Sequence, residues 1–211
     1  MAELDLTNIQ ASSISTPASG VTAVFADSVN KVIKSKDDTG FVTGQMQNFS
    51  TASQAPTATT RTYITGSKIT VPKNKLQIGT IFRWRFSMTK TAAGTATSTI
   101  DIAVGTAGTT SDTARVSFTK PAGTAAADEA WCEVHCICRG PLSASGIFVG
   151  QFIMTHNLSA TGHAVIPCVV VNTVSSGFDV TVADLFVGLC ITTGASDAIT
   201  IQMVTAEAVN L

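Results

Sequence analysis

The stretch Thr80-Ile81-Phe82-Arg83-Trp84-Arg85-Phe86-Ser87-Met88 decides the fold class. Large apolar side chains fall on Phe82, Trp84, Phe86 and Met88, while Arg83, Arg85 and Ser87 take the positions between them. A period of two puts these sets on opposite faces of a strand, one toward a core and one toward water. The period returns downstream. Ser98 to Val104 carries Ile100, Ile102 and Val104; Ala114 to Phe118 carries Val116 and Phe118; Glu129 to Arg139 is a fourth strand. Gly146 to Met154 reads as a fifth, apolar on both faces, followed by Ala164 to Val174, Val180 to Thr192 and Ala198 to Val209. No stretch here keeps a helical period over three turns. Ala-Gly-Thr recurs at 93–95, 107–109 and 122–124, where glycine supplies the positive φ that tight turns need. Eight strands, glycine turns and no helix predict an all-β protein with an eight-stranded jelly-roll-like β-sandwich over residues 80–211.

Upstream the pattern weakens. Pro17-Ala18-Ser19-Gly20 and Asp37-Asp38-Thr39-Gly40 read as turns. Val21 to Ala26, Lys31 to Lys36 and the piece beginning at Phe41 and Val42 read as short strands. Residues 1–43 are therefore expected to form an extended arm or small β-meander, with too little apolar surface to fold alone. Gln45 to Thr62 is rich in Ser, Thr, Ala and Gln and reads as a linker, while residues 63–79 look extended, with Tyr63-Ile64 and Ile69-Thr70-Val71 as short strand candidates; residues 44–79 together are expected to be a linker or stalk.

Composition narrows the function classes. Apolar residues make up 45% of the 211, enough for a core, while charged residues make up only 13% and the net charge is −1. Disorder requires the opposite balance, and a general nucleic-acid binder requires a basic surface. The 32 Thr and 19 Ser stand where charge usually does. An uncharged surface handicaps a free monomer, so an assembly that covers it is expected. No Lys or Arg follows Arg139, and that region carries only Asp179, Asp184, Asp197 and Glu207. Sheet faces or edges of residues 140–211 are thus the expected contacts between subunits, since such strands lack charged gatekeepers. No apolar run approaches the roughly 20 residues of a membrane helix, and the start, MAELDLTNIQ, has no signal-peptide pattern. Folding in a cytosol, with five reduced cysteines, is the expectation.

Reactive clusters exist, but their spacing argues against chemistry. Trp131 to Arg139 holds Cys132, Cys136 and Cys138 with His135. Strand alternation puts the three thiols on one face and His135 on the other, so buried core thiols are expected rather than a zinc site. Cys168 and Cys190 receive the same reading. His156 and His163 flank a loop and are expected to be surface hydrogen-bonders, because no nucleophile motif accompanies them. The acid pairs Asp37-Asp38 and Asp128-Glu129 point apart as neighbours and read as surface loop acids. No phosphate loop is present. No catalytic residue, metal or cofactor is expected. Arg83 and Arg85 are taken as a solvated face, or as partners for acids of a neighbouring subunit.

The stretches Ile14 to Gly20, Phe25 to Ser28 and Lys34 to Gly40 resemble the opening module of small tailed-bacteriophage virion proteins. Phe82-Arg83-Trp84, Lys90 to Thr97, Gly105 to Thr109, Gly177-Phe178-Asp179 and Ala206 to Leu211 are similar to the β-sandwich domain that often follows that module. The resemblance implies trimers and an N-terminal segment that docks on the particle, with Phe25, Ile33 and Phe41 as its virion-docking anchors. It implies a non-enzymatic capsid-decoration or head-fibre protein, assembled in the bacterial cytoplasm and carried in the virion, whose partners are the major capsid or tail protein. The alternative is a tail-fibre host-recognition module that binds a cell-surface glycan. Such a tip should expose Trp, Tyr or acids in distal loops, whereas Trp84 and Trp131 lie in strands.

Overall fold

The computed structural model describes residues 8–10, 13–28, 33–38, 42–43, 46–181, 183–194 and 199–211. The chain divides into two compact units, Met1–Met46 and Gln47–Leu211. The first is one four-stranded sheet in chain order: β1 (Asn8–Ile9), β2 (Ala23–Asp27), β3 (Ile33–Lys36) and β4 (Val42–Thr43). β1 runs parallel to β2, and the other pairs are antiparallel. Gly20 takes a φ of +77° in the turn before β2. Its N–H donates to Asp38 Oδ2 at 2.7 Å, and Lys36 Nζ donates to the Ile14 carbonyl at 2.5 Å. Phe25 is the one large apolar side chain of this unit that is buried among the described residues. The expected Asp37–Gly40 turn reaches into residues outside the described set.

The second unit is a β-sandwich. Its strands are β5 (Met46–Ser50), β6 (Thr62–Tyr63), β7 (Ile69–Val71), β8 (Ile81–Lys90), β9 (Ser98–Gly105), β10 (Thr113–Lys120), β11 (Asp128–Cys138), β12 (Phe148–His156), β13 (Cys168–Val174), β14 (Leu185–Thr192) and β15 (Ile199–Val209). The larger sheet runs β13-β12-β11-β8-β15-β5, and the smaller runs β10-β9-β14-β6 with β7 also on β14. All eight strands expected from the period of two are present as β8 to β15. First pairs with last, second with seventh and fourth with fifth (β8·β15, β9·β14, β11·β12), whereas the third and sixth, β10 and β13, lie at the edges of different sheets. β10 lies beside β9, and β11 beside β8, so these eight strands divide five and three.

The alternation works as the sequence predicts. Phe82, Trp84, Phe86 and Met88 of β8 are buried, and they meet Ile100, Ile102, Val116, Phe118, Phe152, Leu189 and Ile201 in one core. Phe148 stacks edge-on against Phe178 at 4.7 Å between ring centres. The ends of β8 and β10 bury two lysines. Lys90 Nζ donates to the carbonyls of Thr91, Thr124 and Ala126, and Lys120 Nζ to those of Pro121 and His163. Each ammonium thereby holds loop carbonyls that a shorter side chain would leave unmet.

The expected linker or stalk is not separate from the sandwich: from Gln47 on it belongs to the same compact unit and adds short strands to both sheets. β5 extends the larger sheet, β6 and β7 pair with β14, and Ile64, Ile69, Val71 and Leu76 are buried. Strands of two to five residues are too short to display a period, so their polar composition reads as linker. Three contacts tie this segment down. Trp84 Nε1 donates to the Ser67 carbonyl at 2.7 Å. Arg61 grips Asp101 with two nitrogens and also donates to the carbonyls of Thr110 and Asp112. Gly66, at φ +86°, lies so close to β5 that a Cβ would sit 2.4 Å from the Phe49 carbonyl carbon. Gly66→Ala combines positive-φ strain with a backbone clash and is expected to cost about 2–4 kcal/mol, read as a lower urea midpoint at unchanged slope. An unchanged midpoint would show that this segment is not packed.

Candidate interaction face

The inner face of β11 carries Cys132, Cys136 and Cys138, all buried, with His135 on the opposite face. Burial pushes the thiols of Cys132 and Cys136 far above their ordinary value, so they are inert packing groups. Cys190 is buried too, but Cys168 is exposed on the edge strand β13, contrary to the core reading. Among the described residues no three His, Cys, Asp or Glu side chains are grouped to hold a metal ion.

His156 and His163 are not surface groups. The side chains of His156 and Asp128 are both fully buried, 2.7 Å apart at Nδ1 and Oδ2. His156 Nε2 lies 2.6 Å from the Ile166 carbonyl. Both ring nitrogens are thus engaged by groups of the chain itself, which fixes the ring in place as a structural bridge. Asp128 also accepts from the His163 and Glu129 backbone N–H groups. Burial alone would raise its carboxyl, but these bonds and His156 hold it below the usual carboxylate range. Sequence reasoning missed this cluster because β11, β12 and the 157–167 loop meet only in the folded chain.

What the fold leaves open is the outward face of the larger sheet. Its ladder registers set side chains in rows across five strands. One row is apolar throughout: Val174, Val149, Ile137, Ile81 and Val209, from β13, β12, β11, β8 and β15. Four of the five are exposed and Ile81 is half-buried, with Ile78 and Leu142 exposed on loops at the same end. The next row, Asn172, Gln151, His135, Arg83 and Glu207, is polar and internally paired. Gln151 donates to Asn172 at 2.8 Å, and Arg83 to Glu207 at 2.8 Å. Arg85 sits 3.6 Å from Glu207 and 3.9 Å from Glu133. The arginines therefore pair with acids of their own chain. Glu133 and Glu207 flank Arg85 on an open face. Burial is the largest single influence on the Glu133 carboxylate and disfavours it, but the bonds from Trp131 and His135 and the nearby Arg85 together hold it below its ordinary value, the opposite of a general acid.

Further along β11, about 20 Å from Ile137 at strand rise, Trp131 is 42% exposed. It lines a hollow of about 300 Å³ with Ser87, Glu129, Thr155 and Asn157. Trp84, by contrast, is wholly buried.

Of the three docking residues, Phe25 is 3% exposed and its side chain is already enclosed, whereas Ile33 is 58% exposed on β3. Phe41 lies outside the described residues. Compared with known protein families and with curated proteins, the chain matches none.

The buried cluster makes stability pH-dependent. Desolvation pushes His163 down to about 4, whereas an unfolded histidine titrates near 6.5. Between those values the unfolded chain binds more protons, so stability present above about pH 6.5 is lost as pH falls toward 4. Up to about 3 kcal/mol is expected from this ring. Urea midpoints at pH 7 and 4.5 measure it, and His163→Gln should flatten the difference; an equal slope in the variant would refute the assignment.

Proposed function

We propose that this chain is a non-enzymatic structural protein that assembles with copies of itself. More specifically, we propose a trimeric capsid-decoration or head-fibre component of a tailed-phage virion, docked by its N-terminal unit onto the major capsid or tail protein. The observation that carries the assembly reading is the apolar row Val174–Val149–Ile137–Ile81–Val209. Soluble monomers rarely expose contiguous apolar surface of this kind without a partner. Three of its residues come from the stretch after Arg139, which has no basic side chain to guard it.

A second copy of the same chain is the occupant this face suits. The neighbouring polar row pairs its charges internally, so it selects no strongly charged partner. Across five strands at ~4.8 Å spacing the row runs about 19 Å, and Ile78 and Leu142 extend it at the same end of the sheet. The virion placement draws on the sequence resemblance. It accords with free cysteines, a short N-terminal sheet burying one large apolar side chain, and histidines spent on structural bonds.

Light scattering on the purified protein tests the assembly. A mass of about 65 kDa, three copies of 21.8 kDa, is expected at micromolar concentration. Ile137→Lys with Val149→Glu should return it to 21.8 kDa without lowering the melting temperature. A monodisperse wild-type monomer would overturn the proposal. Immunogold labelling of intact particles tests the location: label on the capsid supports decoration, and label confined to the tail supports the host-recognition alternative, which the exposure of Trp131 favours.

A further inference from the structure

We propose that the hollow around Trp131 is a carbohydrate-binding subsite that takes one neutral pyranose ring. The hollow binds a sugar through its own side chains, whether or not the chain belongs to a virion.

Trp131 presents a half-exposed ring that is already oriented. Its Nε1–H donates to Glu133 Oε1 at 3.3 Å, while the other Glu133 oxygen lies 3.0 Å from His135 Nε2. An aromatic face fixed before binding costs little entropy to use. A pyranose matches it because one face of the sugar is a patch of C–H groups, while its rim carries hydroxyls that both donate and accept.

The rim of the hollow supplies matching groups. Thr155 on β12 and Ser87 on β8 lie directly opposite Trp131 on either side. Two strand spacings separate them, about 9.6 Å, room for a six-membered ring with a hydrogen bond at each side. Glu129 shares the face two residues before Trp131, and Asn157 follows β12, its backbone N–H bonded to the Glu129 carbonyl. Elsewhere on this face Gln151 bonds Asn172, Arg83 bonds Glu207 and Glu133 bonds His135. The hydroxyls of Ser87 and Thr155, the Glu129 carboxylate and the Asn157 amide have no hydrogen-bond partner among the described residues. They are two hydroxyls, one acceptor and one donor–acceptor, a set suited to sugar hydroxyls.

The chemistry disfavours other aromatic-seeking ligands. A quaternary ammonium group is held by a cage of several rings, and Trp131 stands alone here. A nucleotide base stacked on Trp131 would bring its phosphate toward Glu129 and Glu133, where repulsion replaces the basic groove that nucleic acids require. The hollow also lies at the opposite end of the sheet from the apolar row, so a second copy seated on that row leaves Trp131 accessible.

The chain has two tryptophans, so ¹⁵N-tryptophan labelling yields two indole signals. The full-length protein is titrated with methyl glucopyranoside, methyl galactopyranoside, methyl mannopyranoside and N-acetylglucosamine, each to about 50 mM, since single sugars with few contacts bind in the millimolar range. At least one sugar should shift the Trp131 signal, assigned by its loss in Trp131→Phe, and leave the buried Trp84 signal in place. Glu129→Gln with Asn157→Ala should weaken that binding about 5- to 10-fold while preserving the dispersion of the spectrum. If no sugar moves the Trp131 signal, or if the double variant binds as tightly as wild type, the proposal is wrong. A monomeric mass alongside a sugar-dependent shift would remove the assembly reading and leave this one standing.

Discussion

The indole N–H of Trp84 on the Ser67 carbonyl is the contact on which the sandwich turns. Tryptophan brings the largest apolar surface available to a core, but its N–H must find an acceptor once water is gone. β8 is a central strand, bonded to β11 on one side and β15 on the other, and Trp84 sits near its middle. Meeting the indole requires the 64–67 turn to enter the core. Ser67 then extends the link, its hydroxyl accepting from Leu189 N–H of β14 and donating to the Ile64 carbonyl. One side chain thus joins the centre of the larger sheet to the smaller sheet through a segment that carries almost no strand of its own.

Burying one face of β8 leaves the other face to be managed. Most β-proteins cover an outward face with charge. This one settles its few charges among themselves, Arg83 with Glu207 and Arg85 between Glu207 and Glu133. The rows between them are then free to be apolar or aromatic. The low charge that marks the composition has a local expression: an apolar row at one end of a sheet and an unpaired polar rim around Trp131 at the other. Both are surface properties, and both act on whatever meets the sheet from outside.

The fold was legible wherever strands were long. Phe82 to Met88 alternates over enough residues to fix the buried face, and β11 separates its thiols from His135 by the same rule. Within residues 44–79 the short strands near Tyr63 and at Ile69-Thr70-Val71 were legible, but their place in the sandwich was not, because it comes from pairing with β14, more than a hundred residues away. His156 and His163 were misjudged for a related reason. Flanking loop composition suggested solvent, but Asp128 and the Ile166 carbonyl hold the His156 ring, and the His163 ring is buried against the Met88 carbonyl. The outward rows were half legible: alternation shows that Ile81 and Ile137 point away from the core, yet each looks isolated in its own strand, and the strand of Val149 is apolar on both faces.

Local pattern is enough to say that this chain is all-β, where its long strands run, and which side chains of each face inward, because strand geometry ties side-chain direction to parity. Register between strands is another matter. It depends on hydrogen bonds between residues far apart in the chain, and a shift of two would keep every face while breaking every row. Only the tertiary structure, through that register, aligns five separate apolar residues into one surface and gathers Ser87, Thr155, Glu129 and Asn157 around Trp131.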